Sequence, residues 1–350
     1  MEIVDLMKKA LQVGASDLHL VVGVPPSIRL DGQIHFLDER ELTPEDTHTL
    51  IYSILPSEKK ERFETDWELN FSYSHPSVGR FRASIYYQKG WVEGAFRLIP
   101  LEVKTLVQLG LPPIVSNLAL KPYGLVLITG PTGVGKSTTL NAMIDLINIQ
   151  RRVRIITIED PIEFVHHHKN SIVIQRELDS DTHSFHDALI NALRQDPNVI
   201  CVGEMRNLET ISTALTAAET GHLVLSTLHT TDAATTVDRI VDIFPPYQQG
   251  QIRLQLSQSL QGIVSQQLLP RADGPGRIVA LEILVASSAI RNLIREGKSN
   301  QIENVIATGK DYGMITMDNY LKNLCRKRII NKDLAASKAK NPLVFNEIRG

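Results

Sequence analysis

Eight consecutive residues, Gly130-Pro131-Thr132-Gly133-Val134-Gly135-Lys136-Ser137, fit the pattern G-x-x-x-x-G-K-[ST]. Glycines let successive backbone N–H groups turn toward one point. A helix that begins where such a loop ends adds the positive end of its dipole. The chemistry this predicts is polyphosphate binding, with the Lys136 ammonium on the β- and γ-phosphates and the Ser137 hydroxyl as a ligand to Mg2+. Both flanks agree. Leu125-Val126-Leu127-Ile128-Thr129 reads as a short buried parallel strand. Leu140, Met143, Ile144 and Ile147 then fall on one helix face.

Other reactive side chains gather after apolar runs, where open parallel sheets hold their ligands. The run Val153–Ile158 is followed by Glu159-Asp160-Pro161-Ile162-Glu163. One of these carboxylates is suited to hold Mg2+ through water and another to orient an attacking water; the plainer reading is a solvated acidic loop. Val199-Ile200-Cys201-Val202-Gly203 ends at Glu204, a carboxylate where a metal-binding Asp commonly stands. His222 and His229 bracket Leu223–Thr227, and either is a candidate to hydrogen-bond a γ-phosphate and report its presence. In Gly79–Tyr86, Arg80, Arg82, Ser84 and Tyr86 share one strand face. Two guanidiniums there would make a phosphate clamp, on the same subunit or on a neighbour. His166-His167-His168 resembles a metal cluster only in composition, because consecutive side chains diverge.

The elements that must position these groups fall into two patterns. Residues 1–100 mix helices and strands, the reading of a small α/β domain. Ile3 to Val13 is helical, Asp17 to Val22 and Ser27 to Leu30 are strands with Asp31-Gly32 as a hairpin turn, and Thr43-Pro44 starts a helix. Phe71–Tyr73, Gly79–Tyr87 and Trp91–Leu98 read as a three-stranded meander. Residues 101–113 form a linker ending in Leu111-Pro112-Pro113. From 114 to 285 apolar strands alternate with helices, the signature of a parallel sheet. After Phe244-Pro245-Pro246 the expectation is a mainly helical chain, with a hairpin near Ala272-Asp273-Gly274-Pro275-Gly276, a helical region over 286–350, and loosely held residues from Asn331 onward.

Composition narrows the function. The chain has 350 residues, 43% of them hydrophobic and 22% charged, an ordinary globular balance. A formal net charge of -2 gives no basic field for nucleic acid. Two cysteines, Cys201 and Cys325, exclude a disulfide framework and fit a reducing cytoplasm. The first residues predict no signal peptide, and no apolar run approaches the roughly 18 residues that span a bilayer.

Together these motifs resemble the secretion-type hexameric ATPases, and within them the PilT-type retraction motors of type IV pili. Gly130 to Thr138 is similar to the family's Walker A loop. Ile156 to His166 is similar to its acidic Asp box, Leu193 to Arg206 to its Walker B segment, Gly221 to His229 to its His box, and Gly79 to Arg82 to its N-terminal arginine segment. Ala289-Ile290-Arg291-Asn292-Leu293-Ile294-Arg295-Glu296 resembles a helix motif of retraction motors, and the four-cysteine zinc insertion of the assembly ATPases is missing. Two positions depart from the family's pattern: Asn207 replaces a usual Asp, and Val134 replaces a frequent Ser or Ala.

The resemblance implies a PAS-like N-terminal α/β domain followed by a RecA-like ATPase core with a helical C-terminal part, packed in a homohexamer. It implies ATP as substrate, held by Gly130, Pro131, Thr132, Gly133, Val134, Gly135, Lys136, Ser137 and Thr138. Mg2+ would be held by Ser137, Glu204 and Glu159. Glu163 would be the general base, with Glu204, Arg80, Arg82, His222 and His229 assisting. Its partners would be an inner-membrane pilus platform protein and paralogous pilus ATPases, at the inner face of the cytoplasmic membrane. The alternative is a nucleotide-gated accessory or scaffold subunit of a pilus or type II secretion motor.

Overall fold

The computed structural model describes residues 2–30, 32–99 and 103–345. Asp31 of the expected hairpin turn, and Leu101 and Glu102 of the expected linker, lie outside them. The chain divides into two compact units, Met1–Glu102 with Pro161–Val165, and Val103–Asp160 with His166–Gly350. Among the described residues no helix is long and apolar enough to cross a membrane.

The first unit comprises α1 (Ile3–Gln12), β1 (Asp17–Leu20), β2 (Ser27–Leu30), β3 (Gln33–Phe36), α2 (Pro44–Tyr52), α3 (Ser57–Asp66), β4 (Glu68–His75), β5 (Gly79–Gln88) and β6 (Trp91–Leu98). Its six strands form one sheet in the order β3-β2-β1-β6-β5-β4, with every neighbouring pair antiparallel. The start of α2 is fixed locally. The Thr43 hydroxyl accepts from Asp46 N, the Asp46 carboxylate accepts from Thr43 N, and Pro44 occupies the first turn. The β5 alternation is as its sequence dictates: Phe81, Ala83 and Ile85 are fully buried, whereas Arg82 is exposed on the opposite face. The buried set packs with Leu6 of α1, Ile51 of α2 and Phe63 of α3, so the helices cover one face of the sheet.

The second unit runs α4 (Pro113–Ala119), β7 (Gly124–Thr129), α5 (Lys136–Gln150), β8 (Arg154–Glu159), β9 (Ile172–Glu177), α6 (Phe185–Ala192), β10 (Val199–Val202), α7 (Leu208–Glu219), β11 (Leu223–Leu228), α8 (Ala233–Asp242), α9 (Pro246–Ser259), β12 (Leu260–Pro270), β13 (Arg277–Val285), α10 (Ser288–Glu296), α11 (Ile302–Thr308), α12 (Met317–Arg326) and α13 (Lys332–Lys338). Its sheet has the order β13-β12-β7-β11-β10-β8-β9, parallel except for the β12–β13 pair. Every residue of β7 is buried. Val126 and Ile128 face a core built with α4 and α5, and Leu125 and Leu127 face the core built with α7, α8 and α9. Helices on both sheet faces explain the continuous apolar runs.

After Phe244 the chain is mainly helical, and the expected hairpin near Ala272–Gly276 is present: β12 and β13 pair antiparallel from Pro270↔Arg277. Beyond that expectation, β12 runs parallel to β7 and so extends the central sheet. One expectation is corrected: residues 331–345 are not loosely held, because α13 and a 3-10 turn at Pro342–Phe345 are folded and Phe345 is fully buried against Leu269, Leu321 and Leu324. Lys340 anchors this segment: its ammonium lies 3.4 Å from Asp232 Oδ2 and 3.3 Å from Glu303 Oε2. Residues 346–350 lie outside the described chain.

Candidate functional site

Strand β7 delivers the chain to Gly130 at the C-terminal end of the sheet. There the backbone φ is 140°, and a Cβ on Gly130 would lie 2.4 Å from the Gln266 carbonyl oxygen of β12. Only glycine fits. Gly133 and Gly135 also have positive φ, 80° and 89°, but a Cβ on either would meet nothing within 4 Å. The loop therefore faces open space at those two positions.

Helix α5 starts without a side-chain cap, so its leading N–H groups are directed to that space. Lys136 is only 9% exposed, and its ammonium donates to the carbonyls of Gly130 (2.7 Å) and Pro131 (3.0 Å). An uncapped helix start, a glycine cradle with room and a nearly buried cation together fit an anionic phosphate chain. From the β12 side, the Gln266 side-chain amide donates to the Val134 carbonyl at 3.4 Å. Ser265 Oγ accepts from Thr129 Oγ at 2.8 Å.

Strands β10 and β11 bring two more groups to the same edge. Glu204 follows β10, and His229 follows β11. His229 Nε2 lies 3.2 Å from Glu204 Oε1, and its Nδ1 lies 3.4 Å from the Thr132 hydroxyl of the loop. One imidazole thus spans the phosphate loop and the β10 carboxylate. Arg206 Nη2 holds the other carboxylate oxygen at 2.9 Å. Burial alone would raise the pKa of Glu204. The Arg206 hydrogen bond and the nearby His229 and Arg206 charges outweigh it and hold the carboxyl below its ordinary value. Arg206 was not among the expected assisting groups, although it stands two residues beyond Glu204. Asn207, where the family pattern has Asp, caps α7: its side-chain oxygen accepts from Thr210 N at 3.0 Å, a role either residue type performs.

Glu159 ends β8, buried to 8% exposure, and its Oε1 accepts from Thr157 Oγ1 (2.6 Å) and Gln175 Nε2 (3.0 Å). The three consecutive histidines stand in different surroundings. The His166 ring is buried against Asn141, His167 is exposed, and His168 Nδ1 accepts from Val173 N.

His222 is not at this edge, which corrects its expected phosphate-sensing place. Its carbonyl accepts from N of Gly124, the first residue of β7, at 2.9 Å, and its Nδ1 lies 3.0 Å from the Ala217 carbonyl near the end of α7. Six residues of strand, roughly 20 Å at 3.3 Å per residue, separate it from the phosphate loop. The ring caps a helix end there. Arg80, Arg82 and Glu163 are carried by the first unit, whereas the phosphate loop, Glu159, Glu204 and His229 belong to the second.

The buried His166 ring gives a prediction about stability. Desolvation lowers its pKa from 6.5 to about 4, against the opposing pull of Asp145. The folded chain keeps the ring neutral while the unfolded chain takes up a proton near 6.5. Stability contributed by the neutral ring is therefore complete above pH 6.5 and is lost as the pH falls toward 4. The loss is on the order of 3 kcal/mol for a shift of this size. Urea unfolding at pH 7 and pH 4.5 should show this slope, and His166→Gln should flatten it. Equal slopes for the two proteins would remove His166 as its source.

Comparison with known proteins gives one family, two relatives and one solved structure. A family model described as "Type II/IV secretion system protein" matches residues 107–327. The chain is 48% identical to the type IV pilus retraction ATPase PilT of Pseudomonas aeruginosa over 345 residues, 99% of this chain and all of that one. It is also 48% identical to a twitching motility protein of Neisseria gonorrhoeae over 316 residues, 90% of this chain and 84% of the relative. Among solved structures, the pilus retraction motor PilT with bound ADP superposes with a TM-score of 0.94 at 49% identity, covering 99% of this chain and 100% of that one.

Proposed function

This chain belongs to the type II/IV secretion system protein family, and from that membership we propose that it is an ATPase motor that drives retraction of type IV pili. The observation that carries the reading is the meeting of Lys136, Thr132, His229 and Glu204 at one end of the parallel sheet. Identity to a pilus retraction ATPase over nearly the full length, and to a twitching motility protein, supports the direction of work.

ATP is the substrate. Backbone N–H groups of Gly133 to Thr138 and the Lys136 ammonium bind its phosphates. Glu163 accepts the proton of a water whose oxygen bonds to the γ-phosphorus as the bond to the ADP oxygen breaks. His229, fixed between Thr132 and Glu204, is placed to sense the phosphate end. Ser137, Glu204 and Glu159 are the residues to hold Mg2+ or its waters, and that ion, when bound, neutralises charge on the phosphate oxygens.

Arg80 and Arg82 act from a neighbouring copy in a homohexamer, where guanidinium charge on the transferred phosphoryl is worth roughly 10³–10⁵ in rate. Nucleotide held by two copies favours one packing over another, which any ligand-driven motion requires. The ring works at the inner face of the cytoplasmic membrane, on a platform protein at the pilus base.

The test is ATPase rate against protein concentration, with molecular mass by light scattering on the same samples. Turnover rising as a hexamer forms is the expected outcome. Full turnover by a monomer would remove the two arginines from a neighbour's site. An assembled ring that never turns over would instead favour an accessory, scaffold role.

A further inference from the structure

Residues 160–171 connect β8 to β9, and residues 160–165 form a loop between Glu159 and His166. The neck of that loop is closed by one side chain. Gln175 on β9 is the register partner of Thr157, so its side chain stands on the sheet face that also carries Glu159. Its Nε2 donates to Glu159 Oε1 at 3.0 Å, and its Oε1 accepts from His166 N at 2.8 Å. Both ends of the loop are thus bonded to a single amide.

The bonds continue inward. Asn141 Nδ2 donates to the Ser137 carbonyl at 2.9 Å, so its Oδ1 is the acceptor facing His166. His166 Nε2, 2.7 Å away, must therefore carry the proton. An unbroken series runs from Glu159 through Gln175, His166 and Asn141 to the first turn of α5, the turn that presents Ser137.

We propose that Gln175 is a positioning residue for Glu163: its amide closes the neck of the loop that carries Glu163, and the His166–Asn141 pair ties that neck to the Ser137 turn of α5. The role needs a donor and an acceptor at a fixed separation on one planar group. Glutamine supplies both. Glutamate offers only acceptors and would set a second negative charge against Glu159, while a thioether of similar length offers no donor and only a weak acceptor. Closing the neck limits where the residues between Glu159 and His166 can travel. A group misplaced by about 1 Å loses roughly 100-fold in rate.

The proposal rests on Glu163 being the general base, and the experiment separates the two. Steady-state hydrolysis and ADP binding are measured on the full-length chain for Gln175→Met, Glu163→Gln and the double variant, with ring mass and melting temperature alongside. Gln175→Met should lower kcat by roughly 10- to 100-fold while KM and ADP affinity stay within about threefold. Added to Glu163→Gln it should lower the rate no further, because a residue that acts through another is silent once that other is gone.

Unchanged kcat in a folded Gln175→Met protein overturns the proposal. So does a loss of full size on the Glu163→Gln background, since Gln175 would then act elsewhere. If Glu163→Gln keeps its own turnover, the base assignment falls first and the positioning role falls with it. Should Gln175→Met not fold, Gln175→Glu decides by the same readings: it keeps an acceptor for His166 N but cannot donate to Glu159.

Discussion

Lys136→Ala is expected to abolish ATP turnover through failure to hold nucleotide. The Lys136 ammonium is almost buried and satisfied by two carbonyls of its own loop, so the cation is already desolvated and aimed along the cradle. Truncating one partner of a buried charge pair costs about 2–5 kcal/mol, roughly 30- to several-thousand-fold in affinity. The same substitution removes two hydrogen bonds that brace the loop, so the melting temperature of the nucleotide-free chain belongs in the experiment. Calorimetric titration with ADP should give no measurable heat while the chain remains folded. Wild-type affinity in the variant would show that backbone and helix start alone hold the phosphates.

Glu163→Gln is expected to separate binding from hydrolysis. The substitution keeps shape and hydrogen-bonding capacity but removes the proton acceptor, which is worth about 10²–10⁴ in rate for general base catalysis. ADP affinity and ring mass should match those of the parent, and kcat should fall within that range. Retained turnover would take Glu163 out of the base role and direct attention to Glu204, whose depressed carboxyl already contacts His229 and Arg206.

The phosphate loop was legible because its chemistry is contiguous. Glycines, lysine and serine sit within eight residues, and the flanking strand is apolar throughout. Glu204 and His229 were legible because each directly follows an apolar run at the C-terminal edge of a parallel sheet. His222 was misplaced by the same logic read in one direction only: a residue that precedes a parallel strand stands at the opposite edge.

The hairpin of β12 and β13 was legible from its Gly-Pro turn, but the place of β12 beside β7 was not, because Gln261, Ser265, Gln266 and Gln267 break its apolar pattern. Two of these polar groups turn out to brace the phosphate loop, Ser265 through Thr129 and Gln266 through Val134. Gln175 and Asn141 carry no motif at all. Their roles arise from strand register and helix placement, which exist only after folding.

The place of β7 in the sheet bears on how the protein is made. Its neighbours are β11 (Leu223–Leu228) and β12 (Leu260–Pro270), both of which leave the ribosome long after β7 (Gly124–Thr129). The Thr129–Ser265 bond closes a separation of 136 residues. Pairings this distant in sequence form late and slowly, because chain entropy is lost before the contacts compensate for it. Gly130 cannot reach its final approach to the Gln266 carbonyl until β12 is in register. A growing chain that already contains the whole phosphate loop is therefore still unable to shape it. Until β11 and β12 pair with it, apolar β7 has open edges that can take up a strand from another chain.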